Sequence, residues 1–328
     1  MSLIMEMNTP WVESPFFNDL LLSKGLSSAD QKIAEDYHRD GFVVLPGHFD
    51  HHVIDNLVRD LHERGFESTD KKVIRDENRI QDFWIHSDYA KRIASDDRIH
   101  QVLQMLYERE PIPFQTLHFK KGSTQMAHSD AIHFSSFPEK YMCGVWVALE
   151  DVDENNGPLY YYPGSHKLPE YNFSHIRRSL SDTTWNNYHE YELFIEKLML
   201  TLKFEKFIFK AKKGDVLIWS SNIIHGGEKI VDPNRTRLSQ VNHFFFSDCI
   251  YYAPMISNVI TGEYAIKQDF LNIRTNQKVR QTYNGEMVQF ARLRDRKYAI
   301  LNYFSPYSSV ISKLNILFHQ FEKFKKRF

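Results

Sequence analysis

The stretch QMAHSDAIHF places a histidine, His128, two positions before a carboxylate, Asp130. In an extended strand, residues two apart point to the same face. This spacing therefore aims an imidazole and a carboxylate at one point. GDVLIWSSNIIHGG supplies a further histidine, His225, after a strand-like run and before Gly226 and Gly227. Two histidines and one carboxylate make the facial set of non-haem Fe(II) oxygenases, which leaves coordination positions open. An isolated H-x-D pair carries little weight, because a surface histidine beside a capping aspartate looks the same.

Arg237, in RTRLSQVNHFFF, adds a second group to this constellation. A buried guanidinium fork matches a carboxylate bidentately and suits the distal carboxylate of 2-oxoglutarate. Ser239 lies two residues on, on the same strand face, and its hydroxyl could add a hydrogen bond. The plain alternatives are a surface arginine and a solvent-facing hydroxyl. Arg235, in the turn after Pro233-Asn234, is expected outside.

Other polar groups compete for roles. His133 lies five residues from His128, and odd spacing assigns it the opposite strand face. Substrate contact is its expected role rather than metal binding, with a bulge as the device that could re-aim it. Trp146 and Gly144 alternate with Val145 and Val147, so one of these pairs lines the interior. Trp146 is read either as aromatic packing or as a substrate-contacting wall. His118 is expected to be structural, and His166 to serve the turns set by Gly157 and Gly164.

These side chains need a scaffold. From Pro113 the segments FQTLHFKKG, YMCGVWVALEDV, LYYYPGSH, KFIFKAKKGDVLIWSS and RLSQVNHFFFS are strand-like. Turn dipeptides such as Pro163-Gly164 and Lys213-Gly214 separate several of them. Tyr191, Phe194, Ile195, Leu198 and Leu202 mark one helix near 186–202. Upstream, an irregular arm (1–27) precedes a helix capped around Ser27 to Asp30 that runs through about Tyr37. A strand over Gly41–Gly47, a helix over about 50–64 and a helix marked by Ile99, Val102, Leu103 and Leu106 follow. Helices first and many strands after predict a mostly β fold with flanking helices, a β-sandwich or jelly roll. The chain is read as one domain over 1–328, with a core over about 110–250, an N-terminal helical part over about 27–108 and a C-terminal extension over about 255–328.

Composition bounds the setting. Of 328 residues, 41 are Lys or Arg and 42 Asp or Glu, a net charge of −1, so no global field points to nucleic acid. No run of about 18 apolar residues exists for a membrane span, and the N-terminus has no basic leader. Two cysteines, Cys143 and Cys249, make no disulfide framework, and a reducing, cytoplasmic setting is expected. Lys120-Lys121 and His175–Ser179 are read as solvated surface, with steering of an anionic substrate as the alternative. LFHQFEKFKKRF, near the end, is expected to pack its Phe face onto the body or onto a second subunit in a homodimer. A peripheral membrane contact is the other reading.

Taken in order, HSDAIHF, GVWVALEDVDENNGPLYYYPGSHK, KKGDVLIWSSNIIHGG and RTRLSQVNHFFF resemble the phytanoyl-CoA dioxygenase family, as does the opening YHRDGFVVLPGHF. The resemblance covers roughly residues 35–250. It implies a double-stranded β-helix, Fe(II), and 2-oxoglutarate and O2 as co-substrates. Position by position, it implies iron ligands at His128, Asp130 and His225 and a 2-oxoglutarate anchor at Arg237. It also implies that Phe134 and Gln125 line the co-substrate pocket. Some relatives of this fold are halogenases with a small residue in place of the carboxylate ligand; Asp130 disfavours that outcome. NIRTNQKVRQTYNG resembles tails of bacterial members.

The expected activity is hydroxylation of a C–H bond of a small-molecule substrate, with release of succinate and CO2. A non-catalytic jelly-roll binder of sugars or metabolites would not need Arg237 and Ser239 beside an intact triad. A Zn2+ enzyme built on the same histidines and aspartate would show no dependence on 2-oxoglutarate.

Overall fold

The computed structural model describes residues 7–68, 74–75, 78–176, 188–258, 263–288 and 298–302. The opening arm, expected to be irregular, holds a 3-10 turn (Trp11–Glu13) and a helix α1 (Phe17–Lys24) closed by Gly25 at φ +59°. Trp11, Val12 and Phe17 are buried, so tertiary contact orders a segment with no strong helical period of its own. Ser27 caps α2 (Ser28–Asp40), accepting from the Asp30 N–H at 3.2 Å, and strand β1 (Phe42–Leu45) follows. Asp50 caps α3 (His51–Asp60), which continues as a π-helical turn through Leu61–Phe66. Strands β2 (Ile74–Arg75) and β3 (Arg79–Gln81) and helices α4 (Asp88–Ala94) and α5 (Asp97–Tyr107) complete this part.

The remaining strands are β4 (Pro111–Phe119), β5 (Ser135–Phe137), β6 (Met142–Ala148) and β7 (Leu159–Tyr161), followed by helix α6 (Tyr188–Thr201). Then come β8 (Phe207–Phe209), β9 (Val216–Ser220), β10 (His225–Gly227), β11 (Ser239–Phe246), β12 (Ile250–Tyr252) and β13 (Glu263–Lys267). The large sheet runs β1-β9-β6-β11-β4-β3-β2 with antiparallel neighbours, and a second sheet runs β10-β7-β8. Strands β5, β12, β13 and Tyr298–Asn302 form a third. The architecture is a double-stranded β-helix with flanking helices. Its large sheet draws β1, β2 and β3 from upstream of residue 110.

Alternation along the strands builds two cores. Trp146, Leu217, Trp219 and Val241 point inward and meet Leu159 and Tyr161 of the second sheet. Val145, Val147, Ile218 and Phe244 point outward and pack with Ile54, Leu57, Leu103 and Leu106 of the helices. Each such side chain contributes about 1.5–3 kcal/mol when fully buried. A one-residue slip would exchange both sets at once, so the register is strongly specified. On the outer face, His118 meets Gln240 (3.0 Å), which donates to the Ala90 carbonyl of α4 (3.0 Å). Helix α6 packs Tyr191, Ile195 and Met199 against Tyr160 and Tyr162. Cys143 and Cys249 are buried free thiols. Among the described residues, no helix is long and apolar enough to cross a membrane.

The residues 177–179 of the HIRRS cluster and the C-terminal Phe/Lys stretch lie outside the described residues.

Candidate active site

His128 and His225 face each other as an antiparallel pair: each backbone N–H donates to the other's carbonyl at 2.9 Å. Their rings lie 4.5 Å apart. Asp130 does not continue an extended strand, as the H-x-D spacing predicts. It opens a 3-10 turn (Asp130–Ile132) whose Ser129 cap accepts from the Ala131 N–H. The turn still brings the carboxylate in: Oδ1 lies 3.8 Å from His128 Nε2 and 3.9 Å from His225 Nε2. One ligand atom from each of the three residues falls within 4.8 Å of the others, a set that could hold a metal ion.

The surroundings fix which atoms face inward. His128 Nδ1–H donates to the Met126 carbonyl (2.8 Å) and His225 Nδ1–H to that of Ile223 (3.1 Å), leaving both Nε2 lone pairs free. Burial and the neighbouring His225 push the His128 imidazole well below its usual range, so it is neutral. Burial opposes ionisation of Asp130, but His225, His243, His128 and the Trp219 N–H outweigh it and keep the carboxylate charged. Trp219 Nε1 donates to Asp130 Oδ2 at 2.9 Å, leaving Oδ1 directed at the histidines. The indole fits only because residue 144 is glycine: a Cβ there would lie 2.2 Å from Trp219 Cε2. A Cβ on Gly226 would lie 2.4 Å from Tyr160 Oη, which accounts for a glycine directly after His225.

A cavity of about 900 Å³ runs from this triad to Arg237. Arg237 is 2% exposed, and its Nε and Nη1 have no hydrogen-bond partner. Its guanidinium carbon sits 6.0 Å from the rings of both Phe119 and Trp146. Burial lowers its pKa to about 10, so it is still a cation at neutral pH. Ser239 Oγ, Trp146 Nε1 and Tyr161 Oη are likewise buried without partners. An unpaired buried cation among unpaired hydroxyl and N–H groups is costly, and an oxygen-rich anion is the natural partner for the cation. The distal carboxylate of a dicarboxylic 2-oxo acid fits this donor set.

At the other end, His133 does not lie on the far side of a strand. The turn after Asp130 swings it into the cavity, where Nε2 meets Tyr188 Oη at 3.1 Å. Gln125 Nε2 donates to the same phenol at 2.8 Å. Phe134 lines the cavity and packs on Phe114 and His243. Trp146 is inside, at the Arg237 end. Arg235 is outside, paired with Asp153, and His118 and His166 are buried away from the cavity. His243 was not singled out from the sequence, yet its Nε2 is 3.9 Å from Asp130 Oδ2 and its Nδ1 meets Gln115 Oε1 at 3.0 Å. A signal existed: counting by two from Arg237 through Ser239 and Val241 reaches it. Trp219, Tyr161 and Tyr188 had no such signal, since strand pairing and α6 bring them in.

Fold and site together define a jelly-roll protein with a two-histidine, one-carboxylate cluster that could hold a metal ion, beside a buried arginine. The family model for phytanoyl-CoA dioxygenase (PhyH) matches residues 37–237, more than half of the chain, and the chain belongs to that family. Phytanoyl-CoA dioxygenase domain-containing protein 1 of Danio rerio is 32% identical over 80 residues, 23% of this chain and 28% of that protein. The aligned part thus spans less than a third of that relative. Ectoine dioxygenase of Bordetella bronchiseptica is 25% identical over 232 residues, 63% of this chain and 71% of that protein. Among solved structures, the non-heme alpha ketoglutarate dependent epimerase SnoN from nogalamycin biosynthesis shares the fold, with a TM-score of 0.55 at 17% identity over 83% of this chain and 98% of that one.

Proposed function

We propose that this protein is an Fe(II)- and 2-oxoglutarate-dependent dioxygenase that hydroxylates a C–H bond of a polar small molecule. The observation that carries this reading is the His128, Asp130 and His225 cluster in one cavity with an unpaired, buried Arg237. Bound iron, with 2-oxoglutarate and O2, would supply the oxidation, and succinate and CO2 would leave as co-products. The chain's own share is placement. His128, Asp130 and His225 would hold the metal and leave coordination positions open for the reactants. Arg237 and Ser239 would grip the distal carboxylate of the co-substrate, and Phe134 would wall the cavity beside it. Besides Arg237, the cavity is lined by Gln81, Gln115, Gln125, His133 and Tyr188, with Arg79, Lys121 and Glu192 adding charge. Such hydrogen-bonding groups suit a substrate with several polar groups and would orient it in the cavity.

The test is anaerobic addition of Fe(II) and 2-oxoglutarate to the apo-protein, read by visible absorption, with His225→Ala as control. A weak charge-transfer band in the wild type that is absent from the variant supports the assignment. No band from a folded wild type that still binds Zn2+ favours a zinc enzyme instead.

A further inference from the structure

Tyr161 lies on β7, directly opposite His225 of β10 in the register of the second sheet. Its ring stacks on the His225 imidazole (centroids 5.6 Å, 21° between planes) and packs against Phe42 at 5.3 Å. These contacts hold the ring against the cavity wall. The residue is 0% exposed and lines the cavity, yet Oη has no hydrogen-bond partner. Buried tyrosine hydroxyls are normally paired, and leaving one unpaired is destabilising. A purely structural aromatic here would do better as phenylalanine. Tyr161 and Arg237 line the same cavity, and each holds a buried polar atom with no partner in the protein. The neighbouring carboxylate, Glu150, is occupied by the Thr236 hydroxyl and the Leu238 N–H.

We propose that Tyr161 is a positioning residue for the co-substrate, donating its phenolic hydrogen bond to the distal carboxylate held by Arg237. Arg237 and Ser239 grip that carboxylate from the large sheet, and Tyr161 reaches it from the opposite wall. A carboxylate has about four acceptor directions, enough for all three side chains. The arrangement makes the site selective for a dicarboxylic 2-oxo acid. It also ties the grip on the carboxylate to the ring that packs against a metal ligand. This inference rests on the 2-oxoglutarate reading above.

The test compares two 2-oxo acids of equal chain length, 2-oxoglutarate and 2-oxopentanoate, titrated anaerobically into the Fe(II)-loaded wild type and Tyr161→Phe. Both chelate iron through the same end, and only the first has a distal carboxylate. The expected result is that Tyr161→Phe weakens 2-oxoglutarate about tenfold or more and leaves 2-oxopentanoate within about twofold. Equal weakening of both acids, or of neither, overturns the proposal. Should Tyr161→Phe not fold, the wild type decides. With tyrosine 13C-labelled at Cζ and Zn2+ in place of iron, the Tyr161 resonance should shift with 2-oxoglutarate and not with 2-oxopentanoate. The same response to both acids overturns it. A wild type that shows no band with either acid refutes the dioxygenase reading itself, which is a separate result.

Discussion

Trp219 donates its indole N–H to Oδ2 of Asp130 at 2.9 Å, and the indole occupies the space that a side chain at residue 144 would take. Orientation of the carboxylate therefore depends on a glycine of β6, a strand that carries none of His128, Asp130 and His225. Gly144→Ala should displace the indole, cost about 1–3 kcal/mol as overpacking and lower Fe(II) affinity about 10- to 100-fold. Trp219→Phe removes the hydrogen bond without the overlap, so it should lower affinity with a smaller loss of Tm. Metal titration and thermal unfolding of both variants separate the two effects. A Gly144→Ala protein that binds iron like wild type would falsify this chain of dependence.

Asp130→Ala should remove Fe(II) binding and all 2-oxoglutarate-dependent succinate formation. It also strands the Trp219 N–H that Asp130 now accepts from. Succinate assay and Fe(II) titration of the purified variant check this. Full turnover in Asp130→Ala would mean that the ligand set is misassigned.

Arg237 trades stability for binding. Its cation is buried without an anionic partner, and burial draws its pKa down to about 10. Because the folded pKa lies below the ordinary guanidinium range, the penalty for holding the charge is fully present below about pH 10. Arg237→Met should have a Tm at or above that of wild type at pH 7.5, while 2-oxoglutarate affinity falls on the order of a hundredfold. A clear drop in Tm would show that the guanidinium has a partner within the protein.

Glu170 gives a pH signature outside the cavity. Its Oε2 accepts from the Ser135 hydroxyl at 2.9 Å, while Oε1 is buried with no partner. Burial pushes this carboxyl up from 4.5 to about 7. The folded state then binds the proton more tightly than the unfolded state, so stability falls as pH rises from about 4.5 through 7. Glu170→Gln should raise Tm at pH 8, with the gain shrinking towards zero near pH 4.5. Thermal melts across that range read it directly, and a gain independent of pH would contradict the assignment to Glu170.

What was legible in the sequence was local chemistry. His128 and Asp130 sit within three residues, His225 precedes a glycine pair that its packing requires, and Arg237 lies two residues before a readable strand. Backbone conformation between the ligands was not legible: the strand rule gave the right convergence of His128 and Asp130 but the wrong place for His133, because the 3-10 turn after Asp130 reverses its direction. Trp219 and Tyr161 were invisible as site residues, and Gly144 was legible only as half of an interior-lining pair. Their roles come from pairing across strands, and no spacing along the chain encodes which strand lies opposite which.

The backbone pair between His128 and His225 makes the metal site a clasp in the chain as well as a reaction centre. Two segments distant in sequence are buttoned together by reciprocal 2.9 Å hydrogen bonds, and the side chains beyond them would share one ion. Parting of the sheet edge would therefore pull the ligand set apart as well. The dwell time of the metal would be set by how often that edge breathes, and the slowest-exchanging amides near the cavity should be those of the two histidines themselves.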